Sequence, residues 1–492
     1  MSAYHQLEHR SRECALIGSA CAALHWDHQT CLPAKAAAYR GEQTAYLSAL
    51  AHQRFTVSEV GRWLADSEAR IDTLTLTQQA NLREWRRRHD RAVKIPPPLV
   101  AEFERATTAA YESWSAARRD SDFAVFRPHL EKVIGLRLQM ADLWGWEKTP
   151  YNALLNEFEP DADSDELGAL FTTLTPRLTE LLARGAAVYE TLPDDFPAGP
   201  YPLEQQRIFN QTVAAKFGFD FAAGRIDATA HPFCIGLGPD DCRLTTRYTE
   251  DDFTHSLYSV LHETGHGLYD QGTPKEHHGT PAGEAVSLGI HESQSRFWEN
   301  HVARHESFWE HWLPAAAGLF PQLRKITPLT MTRHVNRIRR GFIRVDADEV
   351  SYDLHIILRF NAETRLLNRT LTVRELPEFW NAEFKRLFTV SVPDDAHGCL
   401  QDVHWSGGML GYFPTYTLGN LNAAQLAHTM RRAIPGMPAQ LAAGEYGAIL
   451  SWLRANLHRH GSLHRPATLM MNATGERTNP AYHLAHLENK IK

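Results

Sequence analysis

The chain has 492 residues, with 43% hydrophobic and 22% charged side chains, which is ordinary for a globular protein with a large core. Its net charge of −7 gives no general attraction to nucleic acid or to an anionic membrane surface. No apolar run approaches the roughly 18 residues that a membrane-spanning helix needs. We therefore expect neither nucleic acid nor a membrane as a partner.

The N-terminal segment HRSRECALIGSACAALHWD, residues 9–27, has basic residues before an apolar stretch, as a signal peptide does. Glu13 interrupts it, and helical spacing favours a helix with one buried face. That face would contain Leu16, Ile17, Ala20 and Leu24. The six cysteines are sparse and form no C-x-x-C pair, which favours a reducing compartment over a disulfide framework, so we expect a cytoplasmic protein.

Most of the chain has the patterns of helices. A charged helix is predicted over 73–94 and ends before the prolines at 96–98, and its Arg86–Arg88 run is interpreted as a solvated face. A second long helix is predicted from a Ser164 N-cap onward. Segment 225–248 is rich in Gly, Pro and β-branched residues and predicts a small hairpin. Nothing marks a domain boundary, so one mainly α domain over 1–492 is expected.

The stretch LHETGHGLYD, residues 261–270, contains His-Glu-x-x-His. With 27 histidines in the chain, a chance match is on the order of one in ten, so its surroundings decide the interpretation. Thr249 is a predicted N-cap, and apolar residues then recur at helical spacing. His262 and His266 consequently share one helix face and can bind one Zn²⁺.

Two further features of this stretch carry predictions. Glu263 can accept a proton from an attacking water and later donate one to a leaving amine. Gly265 and Gly267 each cost a helix up to about 1 kcal/mol relative to Ala, so we expect another element to pack closely against this helix.

A catalytic zinc site needs three protein ligands. The next predicted helix supplies Glu292, which follows His266 by 26 residues, a distance that a helix–loop–helix spans easily. The extended pattern with a third histidine is absent, because position 269 is Tyr and position 272 is Gly. Four competing ligands remain from the residues alone: His277, His278, Glu284 and His291.

An ordered set of motifs resembles the carboxypeptidase Taq family of metallocarboxypeptidases from about residue 15 to the C terminus. The motifs are LHWDHQTCLPAKA at 24–36, HPF at 231–233, DCRLT at 241–245, HETGH at 262–266, HES at 291–293, IRVDAD at 343–348, GCLQDVHW at 398–405 and GYFPTYTLGN at 411–420. The resemblance implies a helical, saddle-shaped domain with a deep central groove, usually in a homodimer.

The resemblance also implies an activity: release of single residues from peptide C termini with broad preference, but poorly when the last residue is proline. By the family pattern, His262, His266 and Glu292 bind zinc, with cobalt as a possible substitute, and Glu263 is the catalytic base.

Recognition of a free α-carboxylate calls for a fixed arginine, and Arg344 in IRVDAD is the first candidate, with Arg243 and Arg247 as rivals. The oxyanion of the tetrahedral intermediate needs a further donor, for which His404, Tyr412 and Tyr416 are candidates. Two more residues have predicted roles: Asp402 in orienting a neighbouring imidazole, and His231 in contacting the peptide.

Two other functions fit the same residues. An oligopeptidase would use the same zinc site but cut peptides internally. A non-catalytic helical protein with a structural metal site would need four protein ligands and would have no use for Glu263. Peptide hydrolysis from the C terminus is the favoured hypothesis.

Overall fold

The structure is a computed structural model that describes residues 2–192 and 196–491. Within these ranges it has twenty α-helices and one three-stranded sheet, so the predicted mainly α fold is confirmed. The chain divides into two compact units. The first comprises Met1–Ala92, Asp195–Val335 and Asn422–Thr478, and the second comprises Val93–Asp194, Asn336–Leu421 and Asn479–Lys492. The expected single domain over 1–492 stays a prediction.

The helices occur along the whole described chain. They are α1 Ala3–Thr30, α2 Ala37–Thr56, α3 Ser58–Glu68, α4 Leu76–Lys94, α5 Pro97–Asp120, α6 Phe123–Trp144, α7 Pro150–Phe158, α8 Ser164–Glu190, α9 Leu203–Phe217, α10 Phe253–Asp270, α11 Leu288–Arg296, α12 Glu306–Leu319, α13 Pro328–Val335, α14 Glu349–Leu367, α15 Leu376–Phe388, α16 Pro414–Ala433, α17 Met437–Ala443, α18 Gly447–Asn456, α19 Pro466–Thr474 and α20 Ala481–Ile491. No helix among the described residues is long and apolar enough to cross a membrane.

The sheet contains the predicted hairpin. Strands β2, Cys234–Gly238, and β3, Asp241–Thr246, pair antiparallel, and β1, Gly224–Ala228, pairs parallel with β3 on its other side. Both β2 and β3 lie against α10. The sheet therefore covers one side of the helix that carries His-Glu-x-x-His.

In the first unit, α10 crosses an aromatic core. Phe253 at its start is fully buried and contacts the rings of Phe209 and Trp309, with ring centroids 6.3 and 6.4 Å apart. Buried positions occur on most sides of α10 because α9, α11, β2 and β3 all pack against it. This explains why the helix has so few charged residues.

In the second unit, α14 is buried along almost its whole length although it carries charged residues. Its Glu363 carboxylate accepts hydrogen bonds from the Trp405 indole at 2.8 Å, the Gly411 amide at 3.0 Å and the Tyr151 hydroxyl at 3.0 Å. Asp353 accepts from His483, Thr417 and Asn420. Buried charge on α14 is thus balanced by directed donors.

Three sequence-based expectations need correction. Helix α1 forms, but its predicted buried face is wrong, because Leu16 is 73% exposed and Ala20 is also exposed. The N-cap of α8 is Asp163, whose carboxylate accepts from two backbone amides, rather than Ser164. The Arg86–Arg88 run is paired with Glu68, Glu84 and Glu284 in turn, so it is an ion-paired face.

The buried Glu363 predicts a pH dependence of stability. Burial raises the pKa of Glu363 to about 7, against about 4.5 for an exposed glutamate. The folded state therefore holds this proton more tightly than the unfolded state. The resulting stabilisation is complete below about pH 4.5 and is lost as the pH rises to about 7, by at most about 3 kcal/mol.

We expect Glu363→Gln to remove this pH dependence, since an amide does not titrate. Urea unfolding at a series of pH values should show the wild type losing stability relative to the variant between about pH 5 and 7. A constant offset from the changed hydrogen bonds is expected at every pH. Parallel pH profiles for the two proteins would contradict the prediction.

Candidate metal centre

Helix α10 presents His262, Glu263 and His266. The helix begins at Asp252, whose carboxylate accepts from the Thr254 amide at 2.8 Å, so the predicted N-cap at Thr249 is wrong by three residues. The predicted helical register is unaffected. The two imidazole rings lie 5.0 Å apart on one face, as the four-residue spacing requires.

The two imidazoles and Glu292 converge. Nε2 of His262 lies 3.6 Å from Oε2 of Glu292, and Nε2 of His266 lies 3.4 Å from the same oxygen. Donor atoms of a tetrahedral ion with bonds of about 2.1 Å lie about 3.4 Å apart. These two distances and the N₂O donor set therefore fit a divalent metal ion.

The other nitrogen of each ring is already used. Nδ1 of His262 donates to Glu299 at 3.0 Å, and Nδ1 of His266 donates to the backbone carbonyl of His291 at 3.1 Å. Because Nδ1 carries the proton in both rings, Nε2 offers its lone pair toward Glu292. Both histidines are thus oriented in the tautomer that binds a metal.

Two arginines hold the carboxylates. Glu292 accepts from Nε of Arg296 at 2.8 Å, and Glu299 accepts from Nη1 of Arg296 at 3.3 Å and from Nη2 of Arg304 at 3.0 Å. Burial alone raises the pKa of Glu299, but the charges of Arg296, His262 and Arg304 outweigh it and hold the pKa below the ordinary value. The pKa of Glu292 is lowered in the same way, by His262 and Arg296.

Glu263 has the opposite environment. Its carboxylate is buried and accepts no hydrogen bond from any residue in the described ranges. Burial, with the neighbouring charge of Glu292, raises its pKa to about 7 although His262 opposes the shift. Glu263 is therefore suited to exchange a proton near neutral pH.

The two glycines of α10 lie where backbones and rings approach closely. A Cβ on Gly265 would lie 2.5 Å from the carbonyl oxygen of Gln294, and one on Gly267 would lie 2.7 Å from the ring of Phe219. The prediction that another element packs tightly against this helix is confirmed. At Gly265 that element is α11. At Gly267 the close neighbour is the ring of Phe219.

The competing ligands lie outside this group of donor atoms. His291 stacks on His266, with ring centroids 4.3 Å apart, but its Nε2 pairs with Asp270 at 3.1 Å. Glu284 pairs with Arg88 at 2.6 Å. His277 and His278 have no ligand atom in the group that His262, His266 and Glu292 form.

The other predicted residues of the first unit lie near the sheet. Arg243 on β3 donates to Asp241 at 2.8 Å from both Nε and Nη2, and its guanidinium lies 4.5 Å from the Trp26 ring centroid. His231 is exposed in the segment between β1 and β2. Arg247 lies 3.3 Å from Nε2 of His255.

Arg344 lies in the second unit and is buried. Its Nε and Nη2 donate to Oδ1 of Asp402 at 3.0 and 2.8 Å, and its Nη1 donates to the Tyr352 hydroxyl at 2.8 Å. Arg359 donates to the other oxygen of Asp402 at 2.6 Å. Asp402 therefore balances two buried guanidinium groups.

The three candidate oxyanion donors cluster beside this ion pair. Nε2 of His404 lies 3.3 Å from the Tyr416 hydroxyl, and the ring centroid of Tyr412 is 5.3 Å from that of Tyr416. Nδ1 of His404 lies 3.8 Å from Asp402. Burial lowers the pKa of His404 to about 4 despite that carboxylate, so the ring is neutral at neutral pH.

Glu299, Arg296 and Arg304 were not predicted from the sequence. Helix α11 continues as a π-helical turn over Phe297–Ala303, and this turn presents Glu299 to His262. The spacing of Glu292, Arg296 and Glu299 places them on one helix face, and this could have indicated a buried charge network. The same spacing is equally typical of an exposed helix with ion pairs.

Comparison with known proteins gives the class of the molecule. The family model described as carboxypeptidase Taq (M32) metallopeptidase matches residues 6–491. Thermostable carboxypeptidase 1 of Thermus thermophilus is 40% identical over 99% of this chain and 98% of its own length. A solved M32 carboxypeptidase from Deinococcus radiodurans is 37% identical, with a TM-score of 0.96 over 99% of this chain and 98% of that chain. The solved Pyrococcus furiosus carboxypeptidase is 33% identical, with a TM-score of 0.97 over 100% and 99%.

The chain therefore belongs to the carboxypeptidase Taq (M32) family of metallopeptidases. It is an enzyme, a metallocarboxypeptidase that acts on peptides and requires a metal ion.

The contact at Gly265 predicts the effect of a single methyl group. Gly265→Ala places a Cβ against the backbone of α11, which cannot move without moving Glu292. We expect the free energy of unfolding to fall by about 1–3 kcal/mol and the affinity for metal to fall with it. Denaturant unfolding and metal titration measure the two effects.

Gly18→Ala is the matched control. Gly18 is an exposed helical glycine of α1 with nothing within 4 Å of its added Cβ. It should stabilise the protein by up to about 1 kcal/mol and leave metal affinity unchanged. The prediction fails if the two variants have the same stability and the same metal affinity.

Proposed function

We propose that this chain is a zinc-dependent carboxypeptidase that removes single residues from peptide C termini with broad specificity, but poorly when the last residue is proline. The observation that carries the zinc assignment is the placement of the His262 and His266 Nε2 atoms 3.6 and 3.4 Å from the same Glu292 oxygen, with all three donor atoms within 4.8 Å of one another. Two histidines and one glutamate form a ligand set typical of catalytic zinc.

His262, His266 and Glu292 are the proposed ligands, with Co²⁺ as a possible substitute for Zn²⁺. When bound, the ion supplies a Lewis acid that polarises the scissile carbonyl and makes water more acidic. Glu299 and the backbone carbonyl of His291 hold both rings in the required tautomer. The two rings are therefore already oriented before the metal binds, and binding does not have to order them.

Glu263 is the proposed general base. Its raised pKa leaves an appreciable fraction ionised at neutral pH, and it follows the first histidine ligand directly. In the forward reaction Glu263 accepts a proton from the attacking water. It then donates that proton to the departing amino group, which restores the carboxylate for the next cycle.

Arg344 is the proposed anchor for the substrate α-carboxylate, with Arg243 as the rival. A guanidinium has five N–H groups, and the bonds to Asp402 and Tyr352 use three of those on Arg344. Asp402 also fixes the plane of the guanidinium, which supports a bidentate contact with a carboxylate. His231 is a proposed peptide contact because it is exposed beside the hairpin.

His404, Tyr412 and Tyr416 are the proposed donors to the oxyanion. A neutral His404 retains one N–H, and each tyrosine has a hydroxyl in the same cluster. Donors already held in place before the reaction stabilise developing charge without reorganisation.

We further propose that the enzyme is a cytoplasmic homodimer. The family resemblance supports the dimer. All six cysteines are free thiols, including Cys14, Cys21 and Cys31, which agrees with a reducing compartment.

Glu263→Gln tests the general base. The amide keeps the volume of the side chain and leaves the three proposed ligands in place, so we expect an unchanged metal content. Release of C-terminal residues should fall by about 10²–10⁴-fold, because the amide cannot accept a proton. Mass spectrometry of digested peptides and elemental analysis of the protein measure the two quantities.

Glu250→Gln, an exposed carboxylate just before α10, is the matched control and should retain full activity. Comparable activity in Glu263→Gln and Glu250→Gln would refute the role of Glu263.

A further inference from the structure

A second group of metal-binding side chains lies on the other element that covers α10. Sγ of Cys234 on β2 is 3.6 Å from Sγ of Cys242 on β3, and 3.9 Å from Oδ2 of Asp270 at the end of α10. All three donor atoms lie within 4.8 Å of one another. None of the three residues belongs to the ligand set proposed for catalysis.

The spacing of the two sulfur atoms fits a tetrahedral ion. Two thiolates bound at about 2.3 Å lie about 3.8 Å apart, close to the separation of Cys234 and Cys242. The group is also reachable, since Cys234 is partly exposed and the Asp270 side chain is 27% exposed, while Cys242 is buried. A solvent molecule can complete the coordination from the exposed side.

A disulfide between Cys234 and Cys242 fits their positions in the sheet less well than a shared metal ion does. In the antiparallel register, Cys234 pairs with Leu244 and Cys242 pairs with Gly236, so the cysteines are diagonal neighbours. Diagonal positions are about 7–8 Å apart, beyond the reach of an unstrained disulfide. An ion between two sulfur atoms needs no such movement of the strands.

Without a metal ion, the Cys234 thiol favours its protonated form. The hydrogen bond with Cys242, together with burial, raises the pKa of the Cys234 thiol. Both effects disfavour a bare thiolate, which slows thiol–disulfide exchange. A divalent cation must therefore displace the Cys234 proton, so metal binding at this position should release a proton and strengthen as the pH rises.

We propose that Cys234, Cys242 and Asp270 form a second metal site for a soft divalent ion such as Zn²⁺ or Cd²⁺. The proposal does not depend on the catalytic assignments. The site is nevertheless a neighbour of the catalytic centre, because the other oxygen of Asp270 pairs with His291 at 3.1 Å and His291 stacks on His266.

Cadmium titration of the reduced protein, loaded beforehand with a single equivalent of zinc, tests the proposal. Cadmium bound to thiolate has an ultraviolet charge-transfer absorption that the proposed catalytic ligands, which contain no sulfur, cannot produce. We expect this band to saturate at about one cadmium per chain and to disappear in Cys234→Ser. Cys31→Ser is the matched control, because Cys31 is also a thiol beside a carboxylate, 3.2 Å from Asp27, but has no second sulfur. It should keep the full band.

Asp270→Asn is the second variant, and it keeps both thiols if Cys234→Ser fails to fold. Its band should appear only at higher cadmium concentration. The proposal is overturned by any of three results: no band in the wild type, a full band in Cys234→Ser, or unchanged cadmium affinity in Asp270→Asn. A mass two hydrogens lower in unreduced wild type, but not in Cys234→Ser, would also overturn it by showing a disulfide.

Discussion

The close approach of α10 and α11 at Gly265 is the contact on which the metal centre depends. With no side chain at this position, the backbone at Gln294 comes within 2.5 Å of where a Cβ would lie. Glu292 is only two residues away, so this contact sets how far its carboxylate reaches toward His262 and His266. The metal-binding distances are therefore a consequence of backbone packing, which is more rigid than side-chain placement.

Charge balance is the second constraint. Glu263, Glu292 and Glu299 are three buried carboxylates, while Arg296 and Arg304 supply two positive charges to the same region. Unpaired buried charge is costly, so the group has a deficit of positive charge whenever Glu263 is ionised. A divalent cation removes that deficit. Burial is the largest cause of the raised pKa of Glu263, and the charges of Glu292 and Glu299 add to it.

Much of the metal centre can be predicted from the sequence because it depends on local helical spacing. Helical spacing placed His262 and His266 on one face, and the cost of two helical glycines indicated a close neighbour. Glu292 came from spacing together with the family motifs. Local rules failed where more than one residue could cap a helix, since the N-cap is an aspartate rather than Thr249 in α10 and rather than Ser164 in α8. They also failed in α1, where the apolar residue Leu16 is exposed instead of facing a core.

The remaining features depend on contacts between distant segments. The pairing of Arg344 with Asp402 joins residues 58 positions apart, and Glu299 reaches His262 only because α11 continues into a π-helical turn. Neither has a local pattern that distinguishes it from an exposed ion pair. The diagonal thiols of Cys234 and Cys242 likewise follow from strand register, which the spacing of the two cysteines does not determine.

The central claim is that a metal held by α10 and α11 removes residues from a free peptide C terminus. Mass spectrometry of one peptide, with either a free or an amidated C terminus, tests it directly with and without a chelator. We expect a ladder shortened from the C terminus only for the free acid without chelator, with activity restored by zinc. Equal cleavage of the amidated peptide, or cleavage that persists in chelator after the metal has been removed, would contradict the claim.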